Sequence, residues 1–294
     1  MRVIEKIRDT SRSLEGLGID DPMREAELLI RHAMGIDTVT IYRDNPLLDK
    51  RVVEYVDEVL NRRLMHEPIQ YIIGHVDFLG LRINVGRGVL IPRPETELMV
   101  EETIKLLMEW GSCPTILDLC TGSGCITLAL ARNLPNAKVY GTDISDIAIE
   151  YARKNAEINN IKDIAFLKGS LFEPIDELTT SPCIEPYAPR LTFDLIISNP
   201  PYIKSADIEY LQPEIRSWEP IIAIDGGEDG LDYYRQIIPN ARHYLKDDGM
   251  LVMEICPEGA GRIVDMLEDT GYRGINIIND YAGMERIVMA RWRG

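Results

Sequence analysis

The stretch Phe193-Asp194-Leu195-Ile196-Ile197-Ser198-Asn199-Pro200-Pro201-Tyr202 carries the most specific chemistry in the chain. Its apolar run reads as a buried strand, and in an open α/β sheet the carboxyl end of a strand opens into the ligand crevice. Two consecutive prolines fix φ and carry no N–H, so the local main chain offers only carbonyls. The Asn199 side-chain oxygen and the Pro200 carbonyl can then each accept one hydrogen of a planar NH2 group. An amide nitrogen is a poor nucleophile because its lone pair is delocalised. Holding both hydrogens and aiming the nitrogen lets that lone pair develop in the transition state, where binding counts most. Tyr202 is expected to lie on the planar group, its ring face favouring a nearby cation. The plain alternative is a proline-rich turn after a strand.

A second constellation lies upstream. Ile116-Leu117-Asp118-Leu119-Cys120-Thr121-Gly122-Ser123-Gly124 runs from a strand into a helix, and its two glycines allow close approach of a ligand. The spacing is not that of a pyrophosphate-cradling dinucleotide loop. Asp118, at the strand end, repels phosphate and suits a cation such as a sulfonium bearing an ammonium. Asp143 closes Lys138-Val139-Tyr140-Gly141-Thr142-Asp143, where an acidic residue can accept both hydroxyls of a ribose. Its plain alternative is an N-cap for the helix beginning near Ser145.

These groups need a scaffold. From residue 94 onward helical patterns alternate with β-rich runs at Thr115–Cys120, Lys138–Asp143, Ile164–Gly169, Phe193–Asn199, Met250–Ile255, Gly274–Asp280 and Arg286–Trp292. Helices are expected at Ser123–Leu134, Ser145–Asn160 and Leu231–Leu245. Near-continuous apolar strands alternating with helices imply an α/β fold whose sheet is mostly parallel and covered on both faces. The last two runs lie only a few residues apart and predict an antiparallel hairpin. Glu173–Thr192 holds four prolines with little periodicity and reads as a surface loop. Residues 1–75 show helical spacing only, as in Pro22–Ile30 and in Asp49–His66, which Pro68 is expected to end. Residues 76–93, with Gly80, Gly86 and Gly88 among short apolar runs, read as a hairpin connector. The expected domains are thus 1–75, a helical bundle; 76–93, the linker; and 94–294, the α/β domain.

The bulk numbers exclude several classes. Acidic residues outnumber basic ones 48 to 32, giving a net charge of −16, which speaks against binding nucleic acid through a basic face. No run approaches the roughly 18 apolar residues of a membrane span, and the charged N-terminus lacks a signal-peptide core. Cys113, Cys120, Cys125, Cys183 and Cys256 form no CxxC pair, which fits a reducing compartment, the cytoplasm, and no zinc site. His32, His66, His75 and His243 have no ligand spacing, so no metal is expected.

The glycine turn and acidic strand end together resemble class I, Rossmann-like methyltransferases, which use S-adenosyl-L-methionine. Over nearly its whole length the chain further resembles the bacterial protein-(glutamine) methyltransferases that modify peptide chain release factors. The resemblance rests on Leu90–Glu97, the Asp118–Gly124 turn, Asn199–Tyr202, Glu219-Pro220, Asp229-Gly230-Leu231 and Asp280–Arg286. It implies a seven-stranded sheet with an antiparallel C-terminal hairpin, behind a helical N-terminal domain that helps grip the substrate. It implies methylation of the glutamine in the Gly-Gly-Gln loop of release factors; separately, a monomer is expected. Cofactor contacts carry over to Asp118, Thr121, Gly122, Ser123, Gly124, Asp143, Ser170, Leu171 and Asn199. Substrate contacts carry over to Asn199, Pro200, Pro201 and Tyr202, with Asn199 as the catalytic residue.

Two positions depart from that pattern. Ser170 stands where the family has Asp near the adenine amine. Cys120 replaces a common Gly, a variant shared with the sister family that methylates a glutamine of a large-subunit ribosomal protein. Against that sister, Pro92–Glu97 and Asp280–Arg286 favour the release-factor enzyme. Two rivals remain: an adenine or cytosine aminomethylase of nucleic acid, which needs a basic face and a target-recognition region, and a decayed methyltransferase serving as a binding module.

Overall fold

The computed structural model of this chain describes residues 1–110, 113–180 and 191–294. They divide into two compact units, Met1–His75 with Gln212–Trp218, and Val76–Leu211 with Glu219–Gly294.

The first unit holds helices α1 (Val3–Leu14), α2 (Pro22–Met34), α3 (Thr38–Asp44), α4 (Lys50–Leu64) and α5 (Ile69–Ile73). Three start on aspartate caps: Asp21 accepts from the Arg24 N–H at 3.0 Å, Asp37 from Thr40 at 2.7 Å and Asp49 from Val52 at 2.9 Å. The helical period sets Val3, Ile7 and Leu14 against Leu29, Ile30, Val56 and Val59 in one buried cluster. Helix α4 ends at Leu64, before Pro68, because His66 takes a left-handed φ of 62° and the Glu67 N–H turns back to the Arg62 carbonyl. Pro68 instead opens α5.

The sequence pattern gave no sign of the distant segment that joins this unit. Gln212–Trp218 contains the short helix α10 (Pro213–Arg216). The Arg63 side chain, 4% exposed, binds Glu25 at 2.7 Å and Glu214 at 2.9 Å, and Trp218 donates to the Met65 carbonyl. Two carboxylates around one guanidinium satisfy a charge that would be costly to bury alone.

Apart from His75, the hairpin of β1 (His75–Phe78) and β2 (Leu81–Asn84) belongs to the second unit and opens it. Its main strands are β3 (Thr115–Leu119), β4 (Lys138–Asp143), β5 (Ile164–Lys168), β6 (Phe193–Ser198), β7 (Leu245–Glu254), β8 (Arg273–Asn279) and β9 (Glu285–Arg291). The sheet order is β5-β4-β3-β6-β7-β9-β8, with β9 antiparallel to both neighbours and the rest parallel. The helices are α6 (Pro94–Trp110), α7 (Cys125–Asn133), α8 (Asp146–Ile158), α9 (Glu173–Thr180), α11 (Asp232–Ala241) and α12 (Ala260–Thr270). Leu117, Leu119, Ile196, Leu251 and Met253 join α11 and α12 in one core cluster. The alternate residues Ile116, Ile197 and Val252 are equally buried and face the other side, where α6, α7 and α8 lie. Asn155 of α8, fully buried, fastens the hairpin: its side chain exchanges hydrogen bonds with the Asn84 main chain and donates to the Ser123 carbonyl.

The proline-rich stretch is not a loop throughout. Its first part is α9, with Pro174 in the first turn, Glu173 and Asp176 beside the helix N-terminus, and Ile175 fully buried. Residues 181–190 of that stretch, Cys183 included, lie outside the described residues. No helix among the described residues is long and apolar enough to cross a membrane.

Candidate active site

From β3 the chain runs to β4 and β5 on one side and then crosses to β6 on the other, so the connections diverge at the carboxyl end of β3 and leave a crevice there. An open cleft occupies it, lined by Cys120–Ser123, Asp143, Ser170, Leu171, Asn199 and Pro201 together with Gly88–Leu90, Pro92, Thr96 and Tyr233. Most of the residues expected from sequence therefore meet around one space. Asp118, Gly124, Pro200 and Tyr202 do not line it.

Asp118 lies beneath the turn, with no exposed surface. Its Oδ2 accepts from the Thr121 hydroxyl at 2.6 Å, the Thr127 hydroxyl at 2.8 Å and the Thr127 N–H at 3.2 Å. Its Oδ1 has no hydrogen-bond partner among the described residues. The geometry thus makes Asp118 the anchor that shapes the turn from behind, instead of a wall of the cleft. Gly124, at φ +81°, caps α7 where a Cβ would come within 2.9 Å of the Ala152 Cβ, so it serves helix packing.

Burial pushes the Asp118 carboxyl up from 3.8 to about 7, against the three donated hydrogen bonds. The folded chain keeps this proton to about that pH, whereas the unfolded chain releases it in the ordinary carboxylate range. Between those limits the folded state binds more protons, so stability falls as pH rises, by up to about 1.4 kcal/mol per pH unit from this group. Above the folded value the contribution is flat. Asp118→Asn cannot titrate. The wild-type minus variant difference in urea-unfolding free energy is expected to shrink as pH is raised from about 5 to about 7; a difference independent of pH would refute the assignment.

Asp143 does line the cleft. Its Oδ2 accepts from the Gly122 N–H and its Oδ1 from the Ser145 N–H, both at 2.8 Å. Ser145, not Asp143, caps α8, accepting from the Ala148 N–H. Each Asp143 oxygen keeps a lone pair for a ligand. On the third side, Thr142 donates to the Leu171 carbonyl at 2.9 Å and holds Leu171 at a left-handed φ of 46°. The Ser170 N–H is engaged by Glu173 at 3.1 Å, which closes the turn after β5 onto α9.

Asn199 Nδ2 donates to the Thr96 hydroxyl at 3.0 Å, and Thr96 donates to Glu254 Oε2 at 2.7 Å. No hydrogen bond among the described residues occupies Asn199 Oδ1 or the Pro200 carbonyl oxygen. Tyr202 departs from expectation: its ring packs against the core under β7 and its hydroxyl donates to Glu254 Oε1 at 3.1 Å. A phenol can satisfy its O–H only where an acceptor is offered, and the buried carboxylate offers one. Of the acidic pair after Pro94, Glu97 accepts from the Leu79 N–H in the hairpin turn at 3.2 Å. Arg93 pairs with the buried Glu219, which also accepts from the Ile91 N–H, so the segments carrying Pro92 and Pro220 are fastened at the cleft wall. Sequence reasoning missed Thr96 and Glu254. The available signal was a carboxylate closing the otherwise apolar strand Met250–Glu254. Among the described residues no three His, Cys, Asp or Glu side chains are grouped to hold a metal ion.

Residues 112–269 match the family model described as a methyltransferase domain, and residues 5–74 match the PrmC N-terminal domain. The chain is 40% identical over 292 residues to the release factor glutamine methyltransferase of Thermodesulfovibrio yellowstonii, covering 98% of each chain. It is 39% identical over 291 residues to that of Geobacter sulfurreducens, covering 98% of this chain and 96% of the other. Among solved structures, a methyltransferase from Pyrococcus furiosus aligns with a TM-score of 0.50 at 21% identity, over 73% of this chain and 90% of that one, a likeness of fold alone. The fold is that of a class I methyltransferase.

Proposed function

Because the chain belongs to the release factor glutamine methyltransferase family, we propose that its cleft brings S-adenosyl-L-methionine together with the side-chain amide of a release-factor glutamine, held by Asn199 and the Pro200 carbonyl. The residues present fit that methyl donor. The space over Gly122 is open, since a Cβ there would meet nothing nearer than the Cys120 carbonyl at 4.0 Å. Asp143 has acceptor capacity left for ribose hydroxyls. Thr121, Ser123, Ser170 and Leu171 complete the wall, and Asp118 contributes by fixing the turn.

When bound, the donor supplies an electrophilic methyl group on a sulfonium. What the chain supplies is an acceptor pair. The observation that carries the reading is that Asn199 Oδ1 and the Pro200 carbonyl both stay free while Asn199 Nδ2 is tied back to Thr96. Two acceptors grip both hydrogens of the substrate NH2, and a carboxylate or carbonyl in the same place would meet lone pairs instead. The nitrogen lone pair is thereby freed to develop along the transfer direction. No strong general base is needed, because the amide nitrogen becomes acidic once methylated and sheds its proton to water. The partner is the release factor, with no direct contact to DNA. The acidic balance speaks against a DNA partner and the scattered cysteines fit a reducing compartment, the cytoplasm, where the enzyme is taken to act as a monomer.

The test offers labelled S-adenosylmethionine to the enzyme with purified release factor, large-subunit ribosomal protein and DNA together. Label is expected in the release factor and to vanish when its loop glutamine is replaced. Label in ribosomal protein or DNA alone would overturn the reading.

A further inference from the structure

We propose that Thr96 and Glu254 act as a relay that sets which end of the Asn199 amide faces the cleft, making both of them positioning residues for methyl transfer; the inference rests on the substrate reading above. Thr96 lies in the first turn of α6 and Glu254 closes β7, and they are 2% and 1% exposed. Each is shielded from water, so each must find its partners in the protein.

A hydroxyl has one hydrogen to give, and a carboxylate can only accept. The Thr96 hydrogen goes to Glu254 Oε2 at 2.7 Å, which leaves Thr96 only lone pairs for Asn199, 3.0 Å away. An amide oxygen in that place would oppose lone pair to lone pair. Asn199 must therefore turn Nδ2 toward Thr96 and Oδ1 toward the cleft. Tyr202 donates to the second Glu254 oxygen at 3.1 Å, so both oxygens are held as acceptors. Burial pushes the Glu254 carboxyl up, while the hydrogen bonds from Thr96 and Tyr202 and the positive charge of Arg286 favour its ionised form. A group with no contact to the substrate thus decides that the cleft presents acceptors.

The consequence is selectivity. With Oδ1 turned to the cleft, the site accepts an NH2 group and repels the oxygen of a glutamate. An Asn199 released from Thr96 can present Nδ2 and tolerate that oxygen.

The intact enzyme is assayed with release factor as acceptor and with release factor carrying glutamate in place of its loop glutamine as competitor. Thr96→Val, close in shape but without the hydroxyl, is expected to lower kcat about tenfold, the effect of losing one buried hydrogen bond. S-adenosylmethionine affinity should stay within about twofold, and the competitor should bind more tightly relative to glutamine-bearing substrate than it does to wild type. Thr96→Ser should restore both kcat and discrimination. A folded Thr96→Val enzyme with wild-type kcat and discrimination would overturn the relay. So would a kcat loss with unchanged discrimination and no rescue by Thr96→Ser, which would mark a purely structural role. A wild-type enzyme that leaves the release factor unlabelled would overturn the substrate reading and the relay with it, whereas a labelled wild type beside an indifferent Thr96→Val overturns the relay alone.

Discussion

Asn199→Ala is expected to lower kcat by about a hundredfold or more, the scale of removing one oriented group that acts in the transition state. S-adenosylmethionine affinity should change by less than about threefold, because the groups best placed for the donor, Asp143 and the Gly122 turn, keep their own main-chain bonds without Asn199. The split follows from the geometry. Asn199 Oδ1 is unoccupied in the protein's own network while Nδ2 is anchored, so the side chain is committed to a partner arriving in the cleft. Equilibrium binding of the donor and single-turnover transfer to release factor would separate the two effects. Equal loss in both would mean that Asn199 serves the donor.

Asp143→Ala should produce the converse pattern. Its carboxylate accepts the Gly122 and Ser145 N–H groups at 2.8 Å, joining the glycine turn to the start of α8, and it faces the cleft. Removing it leaves two main-chain donors without their acceptor and strips the cleft of the acceptors proposed for the ribose. Each lost interaction with a charged acceptor is worth roughly 1.5–3 kcal/mol, so donor affinity is expected to fall about a hundredfold. At saturating donor, kcat should recover to within about fivefold of wild type, since the acceptor pair at Asn199 and Pro200 is untouched. Isothermal titration with S-adenosylmethionine, followed by initial rates across donor concentration, checks both parts. Unchanged affinity would refute the assignment of Asp143.

What the sequence made legible was local. The β-rich runs, the glycine turn, the acidic end of β4 and the Asn199–Tyr202 segment are contiguous signals, and strand ends were misplaced mostly by a single residue because only the last hydrogen bond distinguishes them. Where the reading failed, the cause was a partner distant in sequence. Asp118 looked like a cleft carboxylate because strand-end position alone cannot say which face the side chain takes; Thr121 and Thr127 draw it under the turn. Tyr202 looked like a substrate platform until Glu254, 52 residues on, claimed its hydroxyl. Thr96 stands between Glu95 and Glu97 in the first turn of α6, and nothing local marks it, because its partner Glu254 lies 158 positions away. Gln212–Trp218 is too short to show a period, and its place in the helical unit depends on Arg63 and Met65. Helix α9 was hidden by the four prolines of residues 173–192, although the one it contains, Pro174, sits in its first turn, where proline is welcome.

The central claim is that the open acceptor pair at Asn199 and Pro200 directs one methyl group onto the glutamine nitrogen of a release factor. Fragmentation mass spectrometry of release factor, after incubation with enzyme and S-adenosylmethionine, tests it most directly. The account predicts a single methyl on the side-chain nitrogen of the Gly-Gly-Gln glutamine, absent when the enzyme carries Asn199→Ala. An unmodified glutamine in a release factor methylated elsewhere, or full modification by the Asn199→Ala enzyme, would contradict it.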